Sequence, residues 1–260
     1  MCSVKPLLLA VLISLPLIAA DLAPTGTLRA AFLRTNPVQG RIDPNTGAIS
    51  GPVADLTKAL AEQLKLPFTI IPAADAKDII GRLKAHTADV GFLAYDAERA
   101  EEVDFSEPYA LMLNTYIVKA DSSLKKAADA DRAGLRIGVA GGVSQAFVLK
   151  DLLKKSELKV MPAPPPDQIN KMLINGDLDA YGANRQRLVE VAAQYPNLRV
   201  IPDNFSVAEQ SLVVNKGDTA QLAVLNQFIE KARSSGLVKS SLERAKLLAG
   251  MEVASGKGQR

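Results

Sequence analysis

Along residues 27–248, short apolar runs alternate with stretches in which apolar residues return every three or four positions. Such runs suit buried strands, and the three-four spacing suits the inward face of a helix. Thr27–Leu33 predicts a first strand. Gly47–Gly51 predicts a turn, and Pro52 is placed to open a helix, because the first helical residue has no use for a backbone N–H. Val53, Leu56, Leu60 and Leu64 then recur at spacings of 3, 4 and 4, one helical face. Phe68–Pro72 predicts a strand. Ala76–Ala85 predicts a helix with Ile79, Ile80 and Leu83 inward, and Ala88–Ala94 and Met112–Ala120 predict two more strands. The stretch Asp121–Gly134 is polar and Ala-rich and is the best candidate boundary.

The pattern then restarts. Leu135–Val139 predicts a strand, Ser144–Lys154 a helix and Leu158–Pro162 a strand. Pro164–Pro166 leads into a helix over Asp167–Asn175, then a strand over Leu178–Gly182 and a helix over Asn184–Gln194. Leu198–Ile201 and Gln210–Asn215 read as extended. Thr219–Ser234 predicts an amphipathic helix with Leu222, Leu225, Phe228, Ile229 and Ala232 on one face. Residues 236–248 predict a last helix, and Ser255–Arg260 a frayed end. Repeated βα units place mostly parallel strands between helices. Two such blocks predict an α/β protein of two lobes. A ligand then sits at the carboxyl ends of the strands, between the lobes.

One stretch does not fit a globular lobe. Leu7–Ala20 (LLLAVLISLPLIAA) is apolar for 14 residues behind Lys5. A membrane span needs about 20. A charged start, a short apolar run and a small-residue end predict a secretory signal peptide over residues 1–20, cut after Ala20. Cys2 precedes the run and is not at the cut, where a lipid anchor needs a Cys. Removal of this leader takes the single Cys and lowers the net charge from +3 to +2. An exported chain without thiols cannot use the disulfides its compartment permits, so its stability must come from core burial.

Composition narrows the chemistry. The 260 residues suit one large domain or two lobes, and 48% hydrophobic with 23% charged residues excludes a disordered chain. Lys+Arg 31 against Asp+Glu 28 is too small an excess to argue for nucleic acid. One Cys and one His exclude a site built from several such ligands, and no cofactor is expected. The run GVAGGVS (Gly138–Ser144) between a strand and a helix lacks the P-loop ending and does not match G-x-G-x-x-G. Its glycines can still present backbone N–H groups to an anion, or simply form a tight turn. No G-x-S-x-G elbow occurs, and His86 reads as a surface residue or helix cap. Glu98, Glu101, Glu102 and Asp104 read as a solvated helix face.

Four segments carry a resemblance. Ala88–Tyr109 (ADVGFLAYDAERAEEVDFSEPY) sets a strand before Glu-Arg, Asp-Phe-Ser and Pro-Tyr. Residues 47–64 hold a Gly-rich turn and a helix, residues 174–180 read INGDLDA ahead of Asn184 and Arg185, and residues 211–236 hold an extended run and a helix. In this order they resemble the extracytoplasmic solute-binding proteins of ABC importers, in the family 3 subgroup that binds amino acids and related small polar solutes. The resemblance covers residues 26–248. It implies a two-lobed Venus-flytrap of the type II periplasmic binding protein fold, each lobe a mainly parallel sheet flanked by helices, with a two-strand hinge. Lobe one would hold residues 25–115 and 208–248, lobe two residues 120–207, and residues 249–260 would be a tail. Crossings near residues 112–120 and 208–215 would form the hinge. The implied protein is a periplasmic monomer. It closes on a small carboxylate-bearing ligand and is then met by the membrane subunits of an ABC transporter.

The resemblance also implies a site. Arg99 matches the arginine that clamps a ligand carboxylate, and a guanidinium suits that role because its planar fork gives two hydrogen bonds and keeps its charge. Taken alone, Arg99 would be expected to pair with the acids beside it. Ala94 and Tyr95 end the strand before it. The family often has Thr or Ser where Ala94 and Asp96 stand, so a hydroxyl is missing at Ala94, whose backbone can still serve, and Tyr95 offers an aromatic wall or ordinary packing. Ser144 and Gln145 stand at the helix start where hydroxyl and backbone donors meet the carboxylate, or where Ser144 merely caps the helix. Asn184 departs from the family. Many amino-acid binders have Asp there, accepting hydrogen bonds from the ligand ammonium. Asn lacks the charge, which points to an anion or a modified amino acid unless Asp96 or Glu209 compensates.

Two functional classes follow: a transport receptor without chemistry, and an enzyme on the same scaffold. Cyclohexadienyl dehydratases resemble this family closely, and such an enzyme needs a general acid, for which Asp96, Glu98 and Glu209 are the candidates.

Overall fold

Hydrophobic periodicity and observed helices coincide through most of the chain. The computed structural model describes residues 22–256. The leader expected over residues 1–20, with Cys2, lies outside them. The first half runs β1 (Leu28–Leu33), a short hairpin of β2 (Arg41–Ile42) and β3 (Ile49–Ser50), α1 (Pro52–Leu64), β4 (Phe68–Ala73), α2 (Ala76–Lys84), β5 (Val90–Ala94), β6 (Val103–Phe105) and β7 (Ala110–Lys119). The second half runs β8 (Arg136–Ala140), α3 (Ser144–Leu152), β9 (Glu157–Met161), α4 (Pro166–Ile174), β10 (Ala180–Asn184), α5 (Arg185–Gln194), β11 (Leu198–Val200) and β12 (Ser206–Asn215). Then follow α6 (Thr219–Ser234), α7 (Leu237–Arg244) and β13 (Met251–Val253). No helix among the described residues is long and apolar enough to cross a membrane.

Local chemistry sets the helix ends. Pro52 opens α1 behind Gly51, whose φ of 97° is open to glycine and strained for other residues. Asp75 caps α2 by accepting the Asp78 N–H at 2.9 Å. That helix closes in a Schellman motif: His86 takes the left-handed position at φ 53°, and the Thr87 N–H reaches the Arg82 carbonyl at 2.9 Å. His86 is therefore a helix-end residue, as expected.

The sheet runs β4-β1-β5-β12-β7-β10-β8-β9. β1 is parallel to β4 and β5, and β8 is parallel to β9 and β10. β12 and β7 are antiparallel to each other and to the strands outside them. Counted from either end, the order of strands is the same, so the two halves repeat one plan. An ion pair repeats with it. Arg29 donates its backbone N–H to Asp89 Oδ2 at 2.8 Å and receives the Asp89 N–H on its carbonyl at 2.8 Å. Arg136 and Asp179 do the same at 2.8 and 2.9 Å. In each half the aspartate fastens the last parallel strand to the first.

Each half buries both faces of its sheet. Phe92 packs with Leu56, Leu60, Leu225 and Leu242 under α1, α6 and α7, while the next residue, Leu93, packs with Ile79 and Leu83 of α2. In the second half Tyr116 joins Leu149 of α3, and Ile117 joins Leu173 and Leu188 of α4 and α5. Alternation on one strand thus feeds two cores.

β7 and β12 pair directly and join the two parallel sets into one sheet of eleven strands. In the stretch Asp121–Gly134, expected as a boundary, Leu124, Ala127 and Ala130 are buried in the second-half core around Tyr116 and Ile137. Two expectations need correction. Residues 249–260 are not simply a tail, since β13 pairs with β7 over Ala110–Met112 and Met251 is fully buried. Gly250 there lies against the backbone of Gln186, where a Cβ has no room. Lastly, Glu98, Glu101 and Glu102 are exposed, as expected, but on and around a 3₁₀ turn, Arg99–Glu101, rather than an α-helical face, and half-buried Asp104 lies in β6.

Candidate functional site

Parallel strands β5 and β10 aim at each other along a shared ribbon. β5 ends at Ala94, which faces Gln210 of β12, and Gln210 faces Ala110 of β7. β10 ends at Asn184, which faces Asn114 of β7, and Asn114 faces Ser206 of β12. These two rungs are four residues apart, or about 13 Å at the rise of an extended chain. The carboxyl ends of both parallel sets therefore converge on one stretch of ribbon, as the strand pattern predicts. Gln210, in the first rung, is fully buried, and its amide has no hydrogen-bond partner among the described residues.

Beyond Ala94 the chain turns back on itself. Tyr95 is half-buried and packs edge-on against Phe105 at 5.2 Å, against one core of the first half. Asp96 Oδ1 accepts the backbone N–H groups of Glu98 and Arg99 at 3.1 and 3.2 Å, which shapes the turn. Arg99 is half-buried and donates Nη1 to the Ala94 carbonyl at 3.1 Å. Among the described residues it forms no ion pair. Two acids further along are taken by lysines, Glu102 by Lys84 at 2.6 Å and Asp104 by Lys216 at 2.9 Å, while Glu98 and Glu101 are exposed and form no ion pair among the described residues. The surface pairing expected for Arg99 without the resemblance does not form.

Facing it in sequence order is the start of α3. Gly142 turns at φ 73°, and Val143, not Ser144, is the N-cap, with no side-chain hydrogen bond. Ser144 is exposed as the first helical residue. Gln145 is 7% exposed and donates Nε2 to Asn114 Oδ1 at 2.9 Å, and Asn114 donates Nδ2 to Ser206 Oγ at 3.1 Å. Asn184 is half-buried and caps α5, its Oδ1 accepting the Arg187 N–H at 2.9 Å. The structure thus joins Ala94 to Arg99, and Gln145 to the rung that holds Asn184. Asn114 and Ser206 were not legible in sequence, because one lies inside an apolar strand and the other before it, with no spacing signal.

The loop entering the second crossing is held by Arg185, which donates to the carbonyls of Pro202 and Asp203 at 2.9 and 2.8 Å and to Asn204 Oδ1. Burial lowers the pKa of this guanidinium, opposed by the charges of Asp203 and Glu252. Among the described residues no group of three or more His, Cys, Asp or Glu is placed to hold a metal ion. A surface depression lined by Lys84, His86, Glu102, Asn215, Lys216 and Asp218 shares no residue with the two rungs.

Known proteins share this organisation. A probable histidine-binding protein of Neisseria gonorrhoeae is 26% identical over 196 residues, 73% of this chain and 72% of that one. An ABC transporter glutamine-binding protein of Bacillus subtilis (strain 168) is 24% identical over 208 residues, 76% of this chain and 72% of that one. Among solved structures, a putative binding component of an ABC transporter from Wolinella succinogenes, complexed with lysine, superposes with a TM-score of 0.68 at 23% identity, over 84% of this chain and 95% of that one. That likeness shows the two-lobed α/β fold. Both relatives compared by sequence are named as binding proteins, and the dehydratase reading is not favoured. The profile of one family spans residues 28–244, nearly all of the described chain, and on that ground the protein belongs to the bacterial extracellular solute-binding proteins, family 3.

Proposed function

We propose that this chain is the extracytoplasmic receptor of an ABC importer and grips a small carboxylate-bearing solute, an amino acid or a derivative, between the two rungs. One observation carries the reading. Arg99 is a half-buried guanidinium just past the end of β5 that forms no ion pair among the described residues, although the acids Glu98 and Glu101 lie beside it in sequence and Glu102 and Asp104 are held by Lys84 and Lys216. A carboxylate between the rungs supplies the missing charge with two hydrogen bonds. Ser144, Gln145 and Asn184 close on the same ligand from the second half, with Ala94 and Tyr95 beneath it.

In this reading lobe one comprises residues 25–115 and 208–248, lobe two residues 120–207, and β7 and β12 flex between them. The leader over residues 1–20 directs the chain to the periplasm, where the monomer, closed on its ligand, docks on the transporter membrane subunits. The test is a thermal-shift screen of the protein without its leader against amino acids, N-acyl amino acids and small organic acids. A saturable rise in Tm with an unmodified carboxylate supports the receptor, since binding to the folded state alone raises stability. Turnover of arogenate or prephenate by the same sample overturns it in favour of the enzyme.

A further inference from the structure

β7 and β12 are not the only elements that join the two halves. The chain after α7 belongs to the first half: Leu242, Leu247 and Met251 are buried in one core with Leu56 of α1 and Leu225 of α6. On the way it touches α5, whose Leu188 and Val191 belong to a core of the second half. Gly250 lies on the first turn of that helix. A Cβ there would meet the Gln186 backbone nitrogen and stand 2.8 Å from the Gln186 Cα. Non-bonded atoms settle at about 3.5 Å, so the two backbones touch with no space for a side chain at Gly250. Gln186 Oε1 is itself buried without a hydrogen-bond partner among the described residues, which costs the closed-off helix start its desolvation.

The segment is fastened on both sides of this contact. The Gly250 carbonyl accepts the Leu113 N–H of β7 at 3.0 Å. β13 then pairs with β7 over Ala110–Met112, and β10 pairs with β7 from Asn114 onward. β12 occupies the opposite edge of β7, so β13 and β10 share one edge, end to end. Beyond β13 the Ala254 N–H reaches the Tyr109 carbonyl at 3.2 Å, and Arg233 of α6 donates Nη1 to the Gly256 carbonyl at 2.7 Å. Exposed Glu252 attracts half-buried Arg185, the first residue of α5. We infer that Gly250–Val253 is a third tie between the lobes, a strap from the first half that holds the start of α5, and with it Asn184, at the separation seen here. Parting the lobes breaks the contact of Gly250 with Gln186 while β7 and β12 stay whole.

The chain without its leader has no cysteine, so Ser240→Cys on α7 and Ala193→Cys on α5, both exposed, take spin labels at those places alone. Double electron–electron resonance then reads the spacing of the lobes with no ligand added. Gly250→Ala should shift the distance distribution to longer values, because the methyl group displaces the start of α5. Glu252→Lys should shift it the same way by repelling Arg185 without adding bulk at the contact, and it decides alone where the Ala variant loses its cooperative urea transition. Glu230→Lys, the same charge change on exposed α6, should leave the distribution as it was. A native distribution in the folded variants overturns the inference. An equal shift in Glu230→Lys and Glu252→Lys also overturns it, since net charge and not the strap would then set the spacing. No ligand enters the measurement, so its failure leaves the receptor reading to its own screen.

Discussion

Asp89 closes on Arg29 at 2.7 Å and is only 3% exposed, the more deeply buried of two ion pairs that hold the same place in the two halves. Its counterpart, Asp179 with Arg136, is longer, at 3.2 Å, and 29% exposed. The two pairs tie the same strands together in different surroundings. They are an internal comparison of what burial does to an ion pair.

Removing one partner of a buried pair strands the other charge, whereas an exposed charge is taken up by water. Asp89→Ala should therefore cost about 3 kcal/mol, and Asp179→Ala about 1 kcal/mol. Urea unfolding of both variants measures the difference. Equal losses would show that the shared backbone bonds, not burial, dominate.

Arg99→Ala should weaken ligand binding at least about 100-fold, the worth of two charge-assisted hydrogen bonds at roughly 1.5 kcal/mol each. Arg99 forms no ion pair among the described residues, so Tm should fall by no more than about 4 °C. Arg99→Lys keeps the charge and loses the fork, and should fall between the two. Unchanged affinity in the Ala variant would remove Arg99 from the site.

Several carboxylates are held below their usual pKa by backbone donors. Asp131 is lowered first by the Lys155 N–H at 2.7 Å, Asp129 first by the Lys125 N–H at 2.8 Å, and Asp43 first by the Thr46 N–H at 2.9 Å. A depressed pKa contributes stability above the unfolded value, and that contribution is lost as pH falls through the folded value. The urea midpoint should then hold steady from pH 7 to pH 5 and drop below about pH 3.9, the pKa of a free aspartate. Asp131→Asn should lower the midpoint at pH 7 and flatten the acid decline. A midpoint that rises on acidification would contradict this account.

Gln210 stands between Ala94 and Ala110, fully buried with an unpartnered amide. Such a group costs its desolvation and returns no hydrogen bond. Gln210→Leu should stabilise the protein by about 1 kcal/mol in urea unfolding. A loss of that size instead would reveal a partner for the amide.

Much of the fold was readable from periodicity. Val53, Leu56, Leu60 and Leu64 all turn inward on α1, and Thr219–Ser234 is helical over the predicted span. A 3.6-residue repeat is a local property, visible without knowing what it packs against. The hairpin of β2 and β3, the strand β6 and the strand β13 were missed. Two or three residues carry no period, and those strands exist because a longer neighbour supplies their hydrogen bonds.

The site divides the same way. From sequence alone came the kinds of residue at the strand ends: a guanidinium at Arg99, an uncharged amide at Asn184, and no hydroxyl at Ala94. Those are side-chain identities, and they set which charges and donors are available at all. Tertiary structure decided how they are spent. It gave Glu102 and Asp104 to lysines far along the chain, placed Asn114 beneath Gln145, and used the one acceptor of Asn184 to cap a helix. Hydrogen bonds are allotted by distance in space, and residues remote in sequence meet only when the sheet has formed.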